Sequence, residues 1–129
     1  MLSAAHRLTD AGSYRTVIRS GRRAGSRTLV VHLVDTIDTR GETVGDGSPA
    51  SPRVGLVVSK AVGNAVIRNR VQRRLRHLVR EQLDRLPPSG ALVIRALPDA
   101  AGASSPELRT DLVRCLKRVL SSTEPERAT

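Results

Sequence analysis

The segment from Asn64 to Leu86 constrains this chain more than any other. It reads as one long helix with two incompatible faces. At 100° per residue, Ile67, Val71, Leu75 and Leu78 fall within about 80° of one another. Val79, Gln82 or Leu83, and Leu86 continue that apolar stripe. Asn69, Arg70, Arg73, Arg74, Arg76, His77 and Arg80 spread over about 160° on the other side. Arg68 stands beside the apolar edge. Such a helix must dock one face on a hydrophobic layer and hold a strip of guanidinium groups clear of it. Gly63-Asn64 opens the helix and Pro87-Pro88 ends it.

The rest of the chain supplies the layer. Arg53–Ser59, Thr28–Val34 and Ala91–Arg95 are short, rich in β-branched residues and nearly continuous, which predicts buried strands. Arg22–Arg27 supplies either a short extra strand or a turn. Thr9-Asp10 starts a first helix, with Ala11, Tyr14, Val17 and Ile18 on one face and Gly21 as its stop. Ser104-Ser-Pro-Glu107 starts a last helix, with Pro106 in its first turn and Leu108, Leu112, Cys115 or Leu116, and Val119 as its stripe. The order is α-β-β-(β)-α-β-α. A strand–helix–strand crossover allows part of the sheet to be parallel. The expectation is one small α+β domain over residues 1–121, with one layer of helices on a sheet of about four strands. The stretch 35–52 reads as an exposed acidic loop, and 122–129 as a frayed tail.

Charge narrows the function. The chain has 129 residues and a formal charge of +10. Residues 1–34 carry a net +5, 35–52 a net −3, 53–86 a net +7 and 87–129 a net +1. Twenty of the basic residues are Arg; only Lys60 and Lys117 are Lys. Guanidinium forks bridge phosphate oxygens and stack on bases better than ammonium groups do. A solvated helix face usually mixes signs in i,i+4 pairs. Between residues 53 and 86 the only acids are Glu81 and Asp84. That imbalance favours a polyanion. The N–H groups at the helix start, with Lys60, Gly63 and Asn64 before them, add a site for phosphate.

Several classes are excluded. Cys115 has no partner in the chain for a disulfide. No apolar run approaches the roughly 18 residues of a membrane span, and the first residues lack the apolar core of a secretory signal. The expectation is therefore a cytoplasmic protein with no membrane partner. No Ser/His/Asp, Cys/His or zinc-type constellation appears, so no catalytic residue and no metal ligand is assigned to the protein. Asp35, Asp38 and Asp46 lack the ligand spacing of a calcium loop. His6 and His77 read as surface groups, and Cys115 as a buried or idle thiol. No helix-turn-helix pair precedes residue 64, so no DNA partner is expected.

The run Arg53-Val-Gly-Leu-Val-Val-Ser-Lys-Ala-Val-Gly-Asn-Ala-Val-Ile-Arg-Asn-Arg-Val-Gln-Arg-Arg-Leu-Arg76 resembles the hallmark stretch of the bacterial ribonuclease P protein subunit. The family's Arg-Asn-Arg motif stands here as Arg68-Asn69-Arg70. The similarity extends to Arg7-Leu8, Tyr14–Ile18, Gly21–Arg23, Leu92–Arg95 and the last helix, about residues 6–120. It implies a ribosomal-protein-like domain with a left-handed βαβ crossover. It also implies an RNA-binding subunit whose partner, the catalytic RNA, removes the 5′ leader of precursor tRNA by hydrolysing one phosphodiester, with Mg²⁺ held mainly by that RNA.

Carried over position by position, Lys60, Gly63, Asn64, Arg68, Asn69, Arg70, Arg73, Arg74 and Arg76 face the catalytic RNA. Tyr14, Ile18, His32, Arg53, Leu56 and Val58 (or Val57) line the leader cleft between the first helix and the sheet. Two features depart from the family. Ile18 and His32 stand where aromatic rings are usual, leaving Tyr14 as the one aromatic residue. The usual Arg-Pro after the third strand appears as Arg95-Ala-Leu-Pro98, so Arg95 receives no role. Charge and fold without the motif would equally suit a structural, ribosomal-type RNA-binding protein with no role in cleavage.

Overall fold

The computed structural model describes residues 11–35, 52–87 and 90–121. Its elements are α1 (Ala11–Ser20), β1 (Arg22–Gly25), β2 (Leu29–Val34), β3 (Arg53–Val57), α2 (Ala65–Gln82), β4 (Ala91–Ala96) and α3 (Ser105–Ser121). The Arg22–Arg27 stretch does supply the extra strand. Short 3₁₀ turns follow α2 at Leu83–Arg85 and β4 at Pro98–Gly102. The expected helix start at Thr9-Asp10, most of the acidic loop and the 122–129 tail lie outside the described residues.

The four strands form one mixed sheet in the order β1-β2-β4-β3. β1–β2 and β2–β4 are antiparallel, and β3–β4 is parallel, with Arg53 opposite Ala91 and Val57 opposite Arg95. Because α2 links two parallel neighbours, it is the crossover. The central strands β2 and β4 are buried on both faces, which explains their nearly unbroken apolar runs.

Helices cover both faces, not one as the sequence suggested. Leu29, Val31, Leu33, Val54, Leu92 and Ile94 pack beneath α2 and α3, against Val71, Leu75, Leu108, Leu112 and Leu116. On the opposite face Val17 of α1 packs with Ala91 and Val93, and Tyr14, Val34 and Val57 border that smaller cluster. A strand buried on both faces shows no period of two, so its second cover left little trace in the pattern.

Local chemistry fixes the helix ends. Asn64 Oδ1 accepts the Ile67 N–H at 3.0 Å and caps α2. Ser104 and Glu107 form a reciprocal capping box at α3: Ser104 N–H donates to Glu107 Oε1 at 2.8 Å, and Glu107 N–H to Ser104 Oγ at 3.2 Å. Arg22 reaches from the edge strand to the far end of α3, where its Nε donates to the Val119 carbonyl at 2.7 Å. Its two terminal nitrogens hold Asp35 at 2.9 and 3.1 Å and lower that carboxyl's pKa.

Removing half of the α3 box isolates its contribution. Ser104→Ala is expected to destabilise the domain by about 1 kcal/mol. Urea unfolding followed by circular dichroism measures it, with an unchanged folded-state spectrum.

Candidate nucleic-acid interface

The arginine face of α2 stands as the wheel places it. Val71, Leu75, Leu78 and Val79 are buried, while Asn69, Arg70, Arg73, His77 and Arg80 are exposed. Among the described residues no carboxylate pairs with any arginine of α2. Arg70, Arg73, Arg74 and His77 line a concavity of about 420 Å³, with Leu78 in its wall and Ser105 of α3 across it. Its cations are unneutralised and its shape is open, so it can take phosphate oxygens.

The positions assigned to this surface are not equivalent. Arg74 borders the apolar arc, and its Nη1 donates to the Ala103 carbonyl at 3.0 Å, tying α2 to the turn before α3. It therefore braces the concavity as well as lining it. Arg76 is half-buried and donates to Gln72 Oε1 at 3.3 Å. Arg68 keeps its Nε buried with no hydrogen-bond partner. The Asn64 side chain is taken up by its cap. Lys60 is exposed in the turn before α2, where the Gly63 N–H donates to the Lys60 carbonyl at 3.2 Å. A Cβ on Gly63 would meet the Ile67 side chain at 3.0 Å, and the φ of +157° is one that residues with a side chain rarely adopt.

The second surface lies on the opposite face of the sheet, beside α1. The Tyr14 ring rests directly on Gly55: a Cβ there would fall 2.5 Å from two ring carbons. Burial pushes the Tyr14 pKa up, partly offset by a backbone hydrogen bond at Leu56. Ile18, 38% exposed, stands on the same helix one turn later. Arg53 precedes Gly55 on the matching face of β3. Leu56 and Val58, expected in this cleft, do not line it. Both join the core under α2 and α3, because alternation along β3 sends them to the other side. Val57, the alternative to Val58, lies on the α1 face, where it and Tyr14 both pack against the Val17, Ala91 and Val93 cluster.

His32 does use the α1 face. It is only 3% exposed, and neither ring nitrogen has a hydrogen-bond partner. Burial first, then the positive charges of Arg95 and Arg23, hold its pKa below the usual value, so the ring is neutral at pH 7. Arg23 is its direct partner across the β1–β2 pair, and Arg95 pairs with Val30, two residues along β2. Both arginines are exposed and were not assigned to this face from sequence. The signal was available: on neighbouring antiparallel strands, residues paired with His32 or two away share its face.

No three His, Cys, Asp or Glu side chains among the described residues lie close enough to hold a metal ion. Cys115 is buried, and burial raises its thiol pKa, which suits an inert group. No helix among the described residues is long and apolar enough to cross a membrane.

The family model described as Ribonuclease P matches residues 2–120. The chain belongs to the ribonuclease P protein family. The ribonuclease P protein component of a Nocardioides species is 60% identical over 120 residues, covering 92% of this chain and 95% of the relative. That of Corynebacterium glutamicum is 50% identical over 119 residues, covering 87% and 90%. Among solved structures, a Staphylococcus aureus RNase P protein mutant superposes with a TM-score of 0.72 at 21% identity, covering 88% of this chain and 86% of that one. The RNase P protein from Thermotoga maritima gives 0.68 at 20%, covering 88% and 97%. These likenesses show that the mixed sheet with three helices is the family fold.

The environment of His32 sets a pH dependence. In the unfolded chain the ring titrates near 6.5; in the folded chain it titrates lower. The unfolded state therefore binds the proton first as pH falls. The stability that His32 contributes is full above about pH 6.5 and is lost as pH drops through its folded-state value. His32→Leu should remove this dependence and also two unpartnered polar atoms. Urea unfolding at pH 7.5 and 5.0 is expected to show a smaller acid loss in the variant than in the parent.

Proposed function

We propose that this chain is the RNA-binding subunit of ribonuclease P. It joins the catalytic RNA through α2 and holds the 5′ leader of precursor tRNA against the sheet face beside α1. The observation that carries this reading is the unneutralised arginine face of α2, which contains Arg68-Asn69-Arg70, in a chain of this family. Arg70 and Arg73 serve as phosphate contacts, and Arg74 orients the groove they share. Lys60 and Gly63 lie where a strand can approach the start of α2. Asn64 acts there through its cap.

On the other face Tyr14 and Ile18 offer an apolar platform, and Arg53, Arg23 and Arg95 ring it with positive charge. A single-stranded leader can lie in such a groove without base-specific readout. Stacking on Tyr14 contributes about 1–3 kcal/mol per base. Holding the leader as well as the catalytic RNA favours precursor over product, which has no leader. The chemistry belongs to the RNA, with Mg²⁺ bound mainly there. The reading places the protein in the cytoplasm.

Reconstitution tests it. The purified chain, rigorously free of RNA, is expected not to cleave precursor tRNA, and adding the catalytic RNA should restore cleavage at low Mg²⁺. Cleavage by the chain alone would overturn the assignment. Arg70→Ala with Arg73→Ala should weaken assembly and lower the log–log salt slope by about 1.4–1.8, at about 0.7–0.9 per phosphate. Tyr14→Ala should instead weaken precursor binding by roughly tenfold, within the range of one lost stack, and leave assembly intact. Equal losses in both assays for both variants would argue against separate surfaces.

A further inference from the structure

The outer face of α3 carries a second concentration of positive charge that the proposed function does not use. Arg109, Val113 and Lys117 follow one another at intervals of four residues, with Thr110 and Arg114 in the adjacent row. These five line a shallow groove of about 390 Å³. Arg109, Arg114 and Lys117 are exposed, and Val113 is the half-buried apolar floor between them. Arg109 and Lys117 are separated by about 12 Å along the helix axis.

The acids of α3 do not neutralise this stripe. Glu107 is engaged in the capping box and lies 4.0 Å from Arg27. Asp111 accepts the Thr28 hydroxyl at 2.6 Å, on the side turned towards the sheet. Among the described residues, Arg114 and Lys117 pair with no carboxylate. Arg109 has one partner, Glu81 of α2, at 3.3 Å. Both members are largely exposed, and an exposed pair of this kind adds little to stability, so a phosphate can displace Glu81 easily.

That ion pair also shows where the stripe leads. Glu81 follows Arg80, the last arginine of the α2 face. The stripe on α3 therefore continues the α2 face across the junction between the two helices, interrupted by one carboxylate.

We propose that Arg109, Arg114 and Lys117 form a second phosphate track, which grips the same folded RNA that α2 engages. This rests on the RNA-binding reading of α2. The occupant is RNA backbone because the groove offers three cations, one hydroxyl and a single small apolar side chain. It lacks the aromatic or large aliphatic pocket that anchors protein partners. The two helices together hold two stretches of backbone, so the chain acts as a brace between them.

Filter binding across a series of salt concentrations tests this, with the catalytic RNA in one arm and a single-stranded leader oligonucleotide in the other. Arg114→Gln with Lys117→Gln changes only exposed side chains, and an unchanged melting temperature confirms folding. With the catalytic RNA, its salt slope is expected to fall by about 1.4–1.8. Glu81→Gln, which removes the carboxylate that the phosphate must displace from Arg109, is expected to tighten catalytic-RNA binding across the salt series without lowering the slope. Leader affinity should stay at the parent value in both. The Arg70→Ala/Arg73→Ala protein serves as control. If its slope falls and that of the α3 variant does not, the second track is overturned while the α2 reading stands. If neither falls, the α2 reading fails and the track with it. A loss confined to the leader arm also overturns the proposal.

Discussion

The parallel pairing of β3 with β4 governs the rest of this structure. Two parallel neighbours cannot be joined by a tight turn, so the chain must cross from one end of the sheet to the other. α2 makes that crossing. Its apolar stripe is thereby committed to the sheet along its length, and its arginines are committed to solvent by the same rotation. The backbone positions from which the arginines project are therefore as fixed as the hydrophobic core beneath them. The exposed guanidinium groups still rotate, but they stay on one helix face, and an anionic partner relieves their repulsion.

The sheet has to serve two clients with few large side chains. Under α2 and α3 the layer is filled by Leu, Val, Ile and Ala. On the other face the area beside α1 is less fully covered. There the single aromatic ring lies on a glycine, and a histidine is buried without a hydrogen-bond partner. Leaving two polar nitrogens unsatisfied costs stability. A face so arranged is not optimised as core, which fits its proposed use as a binding surface.

Much of the fold was legible because the strongest signals were local. The period of 3.6 in α2, the Ser104–Glu107 box and the β-branched runs each name one element. What failed depended on which side of the sheet a residue takes. Leu56 and Val58 were carried over to the cleft from the family resemblance, and the run from Val54 to Val58, without alternation, offered no register to check them against. Gly55 marks the register, since only there can the Tyr14 ring lie on the strand, but that contact is long-range. The face His32 takes is equally unmarked in its apolar run and follows from its pairing with Arg23. Arg74 looked like its neighbours in sequence. Its position at the margin of the apolar arc is what turns it towards the Ala103 carbonyl. The pairing of Arg109 with Glu81 joins two helices and leaves no mark on either alone.

The reach of Arg22 to the end of α3 has a further consequence. Among the described residues β1 is an outer strand of the sheet, and an outer strand can template another chain. It is only four residues long and begins with two arginines. One of them is anchored over the helix end, and Arg118 of that helix donates to the Gly25 carbonyl at the other end of the strand. The exposed rim is thus short, cationic and clasped at both ends. Such an edge is guarded against adding strands from other copies of the chain.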